Sequence, residues 1–326
     1  MKVCVVGAGA IGGLFAGWLG HRIPAGEIEL SALARGATLA ALHNDGLLLE
    51  GDEPTRVALR ASDDARELGA QDLIVVAVKG PALRSVANAI AAMLAPQTIV
   101  LVAMNGVPWW FFEGSGGPCA GLQLQSVDPD GALRAAIPLA HVIGCVVHAS
   151  SSAPRPGVVR HVMGNRLVIG EPRGGRSARV AALESLLARA GFAATVSENI
   201  QRDIWFKLWG NMTMNPVSAL TGATCDRILD DPLVRGFCSA VMLEAQQIGA
   251  RIGCAIEQTP EQRHAVTRKL GAFKTSMLQD LEAGRALEID ALVGAVREIG
   301  QHLGLATPNI DALLGLVRLL AQVHGC

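Results

Sequence analysis

The hydrophobic pattern of the chain changes character once, near residue 199. Before that point, short apolar runs rich in Val and Ile alternate with stretches of helical period, the pattern of a parallel sheet covered by helices. Val3-Cys4-Val5-Val6 opens the series, with further strands expected near 28–34, 72–79 (DLIVVAVK) and 98–104 (TIVLVAM), and helices near 10–21 and 36–43. Runs that are apolar at every position, such as LIVVAV, suit strands buried on both faces. Between 120 and 172 the runs LQLQSV, HVIGCVVH, GVVRHV and RLVIGE follow one another through turns, so antiparallel strands are expected to extend the sheet. RVAALESLLARAGF and AATVSE then add a last helix and strand.

From Asn199 onward the period is helical almost throughout, which predicts an α/β domain over 1–198 and an all-α domain over 199–326. Asp231 before Pro232 starts a helix to about Ile252, with proline at the first helical position, where its missing N–H costs nothing. Thr259, Pro260 and Gln262 form a capping-box start for a helix expected to reach about Glu282. Gly284 marks a break, and two more helices are expected at about 287–303 and 308–324.

Residues 3–20 carry no charge, which superficially resembles a signal peptide or membrane span. Six glycines interrupt the stretch and its period changes midway, so it reads as a strand followed by a helix. Composition narrows the chemistry. Half of the residues are hydrophobic and 17% charged, enough for a large core, and a formal charge of −1 leaves no electrostatic footprint for nucleic acid or an anionic membrane. Aromatics are 4% with no Tyr, which removes a base-stacking platform. The seven Cys are scattered without C-x-x-C, which fits reduced thiols in a cytoplasmic protein, and neither Cys nor His has metal-ligand spacing, so no metal is expected. The expected partner is a small molecule. The helical domain is also a candidate dimerisation surface, with monomer and homodimer both open.

The run Val3 to Val6 leads into Gly7-Ala8-Gly9-Ala10-Ile11-Gly12 and then a helix, the setting in which G-x-G-x-x-G binds a dinucleotide. Gly7 allows the tight turn, Gly9 lets the backbone approach the pyrophosphate, and Gly12 lets helix and strand pack closely. This is a Rossmann-type signature. At the end of the second strand, where an acid would hold the ribose of NAD, the chain reads Leu30-Ser31-Ala32-Leu33-Ala34-Arg35. Arg35 can pair with a 2′-phosphate, which favours NADPH, or can be a solvated loop cation. Lys79 and Asn105 end two further strands, where ligands of open α/β sheets bind, or they punctuate the strand ends.

Lys207, Asn211 and Asn215 recur at steps of four, within roughly an 80° arc of one helix face. Their neighbours are Trp, Phe, Leu and Met, and buried polar groups persist only when hydrogen-bonded. Lys207 could donate a proton to a carbonyl oxygen as hydride reduces the carbon. The alternative is that Lys207 reaches water and the two amides cap the helix end before Pro216.

The motifs GAGAIG (7–12), ARG (34–36), VKG (78–80), MNGVP (104–108), KLWGNMTMNPVSALTG (207–222) and TSMLQDLEAGRALEID (275–290), in this order and spacing, resemble the ketopantoate reductase (2-dehydropantoate 2-reductase) family. The resemblance implies a Rossmann-type NADPH domain followed by a helical domain like the C-terminal one of 6-phosphogluconate dehydrogenase, with a 2-oxo acid reduced in the cleft between them. It implies that Lys207 is the proton donor, that Asn211 and Asn215 contact substrate, and that Ser276 binds its carboxylate. It further implies that Glu288 engages substrate and sets up the lysine, with Lys79 and Asn105 near nicotinamide and substrate. One stretch departs from the family pattern: Gly222-Ala223-Thr224-Cys225 stands where another polar substrate contact is common. A related 2-oxo acid as substrate, or a sensor that binds NADPH without turnover, are the alternatives.

Overall fold

The computed structural model describes residues Met1–Cys326. They form two compact units, Met1–Met104 with Gly131–Ile200, and Asn105–Asp130 with Gln201–Cys326. The single cut expected after residue 198 is therefore corrected in one large respect: residues 105–130 belong with the helices.

All ten strands lie in the first unit: β1 (Lys2–Val6), β2 (Glu29–Leu33), β3 (Leu47–Glu50), β4 (Thr55–Val57), β5 (Arg60–Ser62), β6 (Leu73–Val76), β7 (Ile99–Val102), β8 (Val142–Arg155), β9 (Val158–Gly170) and β10 (Ala193–Val196). Its helices are α1 (Ala10–Arg22), α2 (Gly36–Asp45), α3 (Ala65–Leu68), α4 (Gly80–Ala92), α5 (Ala132–Ala136) and α6 (Ala178–Arg189). The strand order includes β5-β2-β1-β6-β7-β8, every neighbour parallel, which is the doubly wound dinucleotide-binding order with its reversal between β1 and β6. The apolar runs at 73–76 and 99–102 are buried almost throughout, as expected of central strands. β9 pairs antiparallel with β8 and carries β3 and β10 along its far edge.

That extension explains the uncharged N-terminal stretch. α1 packs against β1, β2 and β6 and also against β3, β4, β8 and β9, so residues Gly12 to Leu19 are buried without a break. A helix enclosed on all sides is apolar all round. Its glycines mark where strands come closest: a Cβ on Gly17 would lie 3.3 Å from Leu49, and one on Gly20 2.3 Å from Val57.

The second unit contains α7 (Ile200–Thr221), α8 (Cys225–Asp230), α9 (Pro232–Arg251), α10 (Pro260–Arg268), α11 (Ser276–Glu282), a π-helical turn (Asp290–Gly294), α12 (Ala295–His302) and α13 (Pro308–His324). The expected caps are present. Asp231 accepts from the amides of Leu233 and Val234, and Thr259 and Gln262 make the reciprocal capping box. The helix expected from 259 to 282 is two helices. Gly271, at φ +63°, follows the end of α10, and Thr275 caps α11 afresh.

Residues 105–130 hold Trp109, Trp110, Phe111 and Phe112, each no more than 4% exposed. LQLQSV is not a strand, because the amides of Gln125 and Ser126 donate to the Glu298 carboxylate on α12 (2.6 and 2.8 Å) and the chain turns there. No helix is long and apolar enough to cross a membrane.

Candidate active site

In the first unit the sequence-predicted residues gather at the carboxyl ends of three adjacent strands. Gly7 follows β1 at φ +91°, and a Cβ there would lie 2.6 Å from the Val78 side chain beyond β6. A Cβ on Gly12 would lie 2.0 Å from the Gly7 carbonyl, so α1 can start this close to β1 only with glycine at 12. Gly9 is the N-cap of α1, and a Cβ there would meet nothing within 4 Å. Two glycines of the fingerprint thus admit protein backbone, and the third leaves open space at a helix N-terminus.

Arg35 and Lys79 are the N-caps of α2 and α4, after β2 and β6. The N-cap residues of α1, α2 and α4 make no side-chain cap, whereas α3 and α6 of the same unit are capped by their N-cap residues Asp64 and Ser177. Helix N-termini whose own N-cap side chains leave the first turn alone, gathered beyond the carboxyl ends of adjacent strands, are a setting that suits an anionic ligand. The residues present fit a dinucleotide. Arg35 is exposed, and residues 30–37 include no acid.

The second unit brings Lys207, Asn105 and Glu288 together. Lys207, Asn211 and Asn215 lie along one face of α7, flanked by the buried Trp205, Leu208, Trp209 and Met212. Lys207 Nζ donates to Asn105 Oδ1 at 2.8 Å, and Asn105 Nδ2 donates to Glu288 Oε2 at 3.4 Å. An ammonium only donates and a carboxylate only accepts, so the two together set which end of the Asn105 amide faces which partner. Glu288 is 8% exposed, a burial that a carboxylate tolerates only with polar company. Asn215, also buried, donates to Ser276 Oγ at 3.4 Å, at the first turn of α11.

Other residues were not legible in advance. Gly210 lies inside α7, where glycine costs about 1 kcal/mol relative to alanine. A Cβ there would lie 2.7 Å from Nε of Arg263, whose guanidinium stands 5.1 Å from the centre of the Phe206 ring. In the stretch that departs from the family pattern, Gly222 is exposed, Ala223 and Thr224 are half-buried with the Thr224 hydroxyl donating to Asp226, and the Cys225 thiol is buried. Burial pushes the Cys4 and Cys225 thiols up to about 11 and those of Cys238 and Cys254 up to about 12, so none is a nucleophile at neutral pH.

Two family models match this chain, the ketopantoate reductase PanE/ApbA model over residues 3–113 and the ketopantoate reductase PanE/ApbA C-terminal model over residues 199–321. The chain belongs to the ketopantoate reductase family. It is 46% identical to a 2-dehydropantoate 2-reductase of Mesorhizobium japonicum, over 100% of this chain and 99% of that protein. A candidate ketopantoate reductase from Ralstonia solanacearum MolK2 is 59% identical, with a TM-score of 0.95 over 99% of this chain and 98% of the other. D-mandelate dehydrogenase, solved with NADH and anilino(oxo)acetate, shares the fold at 20% identity, with a TM-score of 0.85 and full coverage of both chains. The family is one of NAD(P)-dependent oxidoreductases, and this member is an enzyme of that class.

Proposed function

We propose that the chain reduces 2-dehydropantoate to (R)-pantoate with NADPH, the helical unit supplying the acid catalyst. The observation that carries this reading is the hydrogen-bonded series from Lys207 on α7 through Asn105 to the buried Glu288. The full-length identity to a 2-dehydropantoate 2-reductase supports the substrate.

The backbone of residues 7–12 and the first turn of α1 would hold the pyrophosphate, and Arg35 would pair with the 2′-phosphate, with Lys79 as a further cation. When bound, the dihydronicotinamide supplies the hydride. Lys207 Nζ directs an N–H at the substrate's carbonyl oxygen, stabilises the negative charge that develops there and gives up its proton to form the hydroxyl. Asn105 holds the ammonium from the side through its carbonyl oxygen, and Glu288 holds Asn105, so the donor's direction is set before substrate arrives. Asn211 offers an amide to the substrate one turn further along α7. Asn215 and Ser276 take its carboxylate.

The test is the loss of NADPH absorbance on adding 2-dehydropantoate to the purified protein, with NADH and other 2-oxo acids run in parallel. Turnover of 2-dehydropantoate with NADPH, exceeding that of every other pair by tenfold or more, is the expected result. Faster turnover of a different 2-oxo acid, or a preference for NADH, would contradict the reading.

A further inference from the structure

The π-helical turn at Asp290–Gly294 begins two residues after Glu288. In a regular helix the Ala295 amide would return to the Ala291 carbonyl, but here it donates to Asp290 O. The Ala291 carbonyl accepts instead from outside the helix, from the Val107 amide at 2.8 Å. Gly106 lies between that contact and Asn105. It has φ +80°, and a Cβ on it would lie 2.5 Å from the Ala291 oxygen and 2.7 Å from the Ala291 Cβ. There is room for the Asn105 loop on this turn only as built. A second fixture lies two turns on, where Glu298 accepts from the amides of Gln125 and Ser126 and from the Ser126 hydroxyl. Residues 105–126 are therefore tied at both ends to one helical segment, the segment that also delivers Glu288.

From this geometry we infer that the wide turn at 290–294 is a positioning element for the proton donor. It acts through Gly106 and Asn105 and does not itself touch substrate. Asn105 accepts from Lys207 and donates to Glu288, so its amide must be placed relative to both α7 and residue 288. The Val107–Ala291 bond and the lack of space at Gly106 fix the loop to the segment carrying Glu288, which leaves α7 as the remaining partner to be met. A π turn, one residue wider than an α turn, supplies the outward carbonyl that makes the attachment. The inference rests on Lys207 as acid catalyst and names what aims it.

Gly106→Ala tests it, measured beside Lys207→Ala and the pair Glu298→Ala and Glu298→Gln. A Cβ at 106 must move the loop by about half an ångström to reach even 3.0 Å from Ala291 O, and misplacements of that order cost about tenfold or more in rate. Gly106→Ala is expected to lower kcat by about tenfold or more, with NADPH affinity unchanged and faster amide exchange at residues 105–107. Glu298→Ala is expected to lower kcat less, and Glu298→Gln, which keeps an acceptor oxygen, to recover most of the loss. Should Gly106→Ala fail to fold, the Glu298 pair decides alone. Folded variants with faster exchange at 105–107 and wild-type kcat would overturn the positioning role. Wild-type turnover by Lys207→Ala would instead overturn the reading of the donor.

Discussion

Gly9 has open space where its Cβ would stand, whereas the Asn105 amide has a polar partner at each end, Lys207 at 2.8 Å and Glu288 at 3.4 Å. The two places show two ways of building a site. Around residues 7–12 the proposed binding groups are backbone amides, and the sequence withholds side-chain atoms so that helix and strand approach closely and space is left at Gly9. Around Lys207 the proposed catalytic groups are side chains, and Lys207, Asn105 and Glu288 are joined donor to acceptor in series. Adding one carbon should break the first, and removing a few atoms should break the second.

Gly12→Val adds carbon where a Cβ alone would meet the Gly7 carbonyl at 2.0 Å. It should destabilise the sheet unit by about 3 kcal/mol or more and abolish NADPH binding, read by thermal melting and by calorimetric titration. Arg35→Ala removes a cation and leaves the backbone intact. It should raise the KM for NADPH by about tenfold to hundredfold, the worth of a charge-assisted pair, while the KM for NADH stays the same. A rise in both would place Arg35 outside the 2′-phosphate contact. Thr259→Ala is the control on a helix that has the cap α1, α2 and α4 lack. It should cost about 1 kcal/mol of stability and leave kcat and both KM values unchanged. A change in KM would mean that capping and catalysis are coupled in the helical unit.

Much of this architecture was legible because it is written in local spacing. The fingerprint glycines, the steps of four from Lys207 to Asn215, and the Asp231 and Thr259 caps all depend on residues within one or two turns of one another. The strands β3, β4 and β5 were missed because runs of four, three and three residues are too short to show a period. Helix α4 was passed over between two strong strands. The allegiance of residues 105–130 was not legible either. It depends on Glu298 and Ala291, more than 160 residues away in sequence. Glu288 and Ser276 have the composition of ordinary helix-surface residues. Only the resemblance to a family marked them, and burial of Glu288 beside Asn105 is a property of the fold that no local pattern carries.

Proton delivery by Lys207 is the step on which the proposed function depends. Its most direct test is Lys207→Ala, with NADPH affinity measured by titration and kcat measured on 2-dehydropantoate. The expected result is near wild-type affinity for NADPH, since the pyrophosphate and 2′-phosphate contacts are assigned to residues 7–12 and Arg35, and a kcat lower by about hundredfold or more, as for loss of an acid catalyst. A kcat within a few fold of wild type would contradict it.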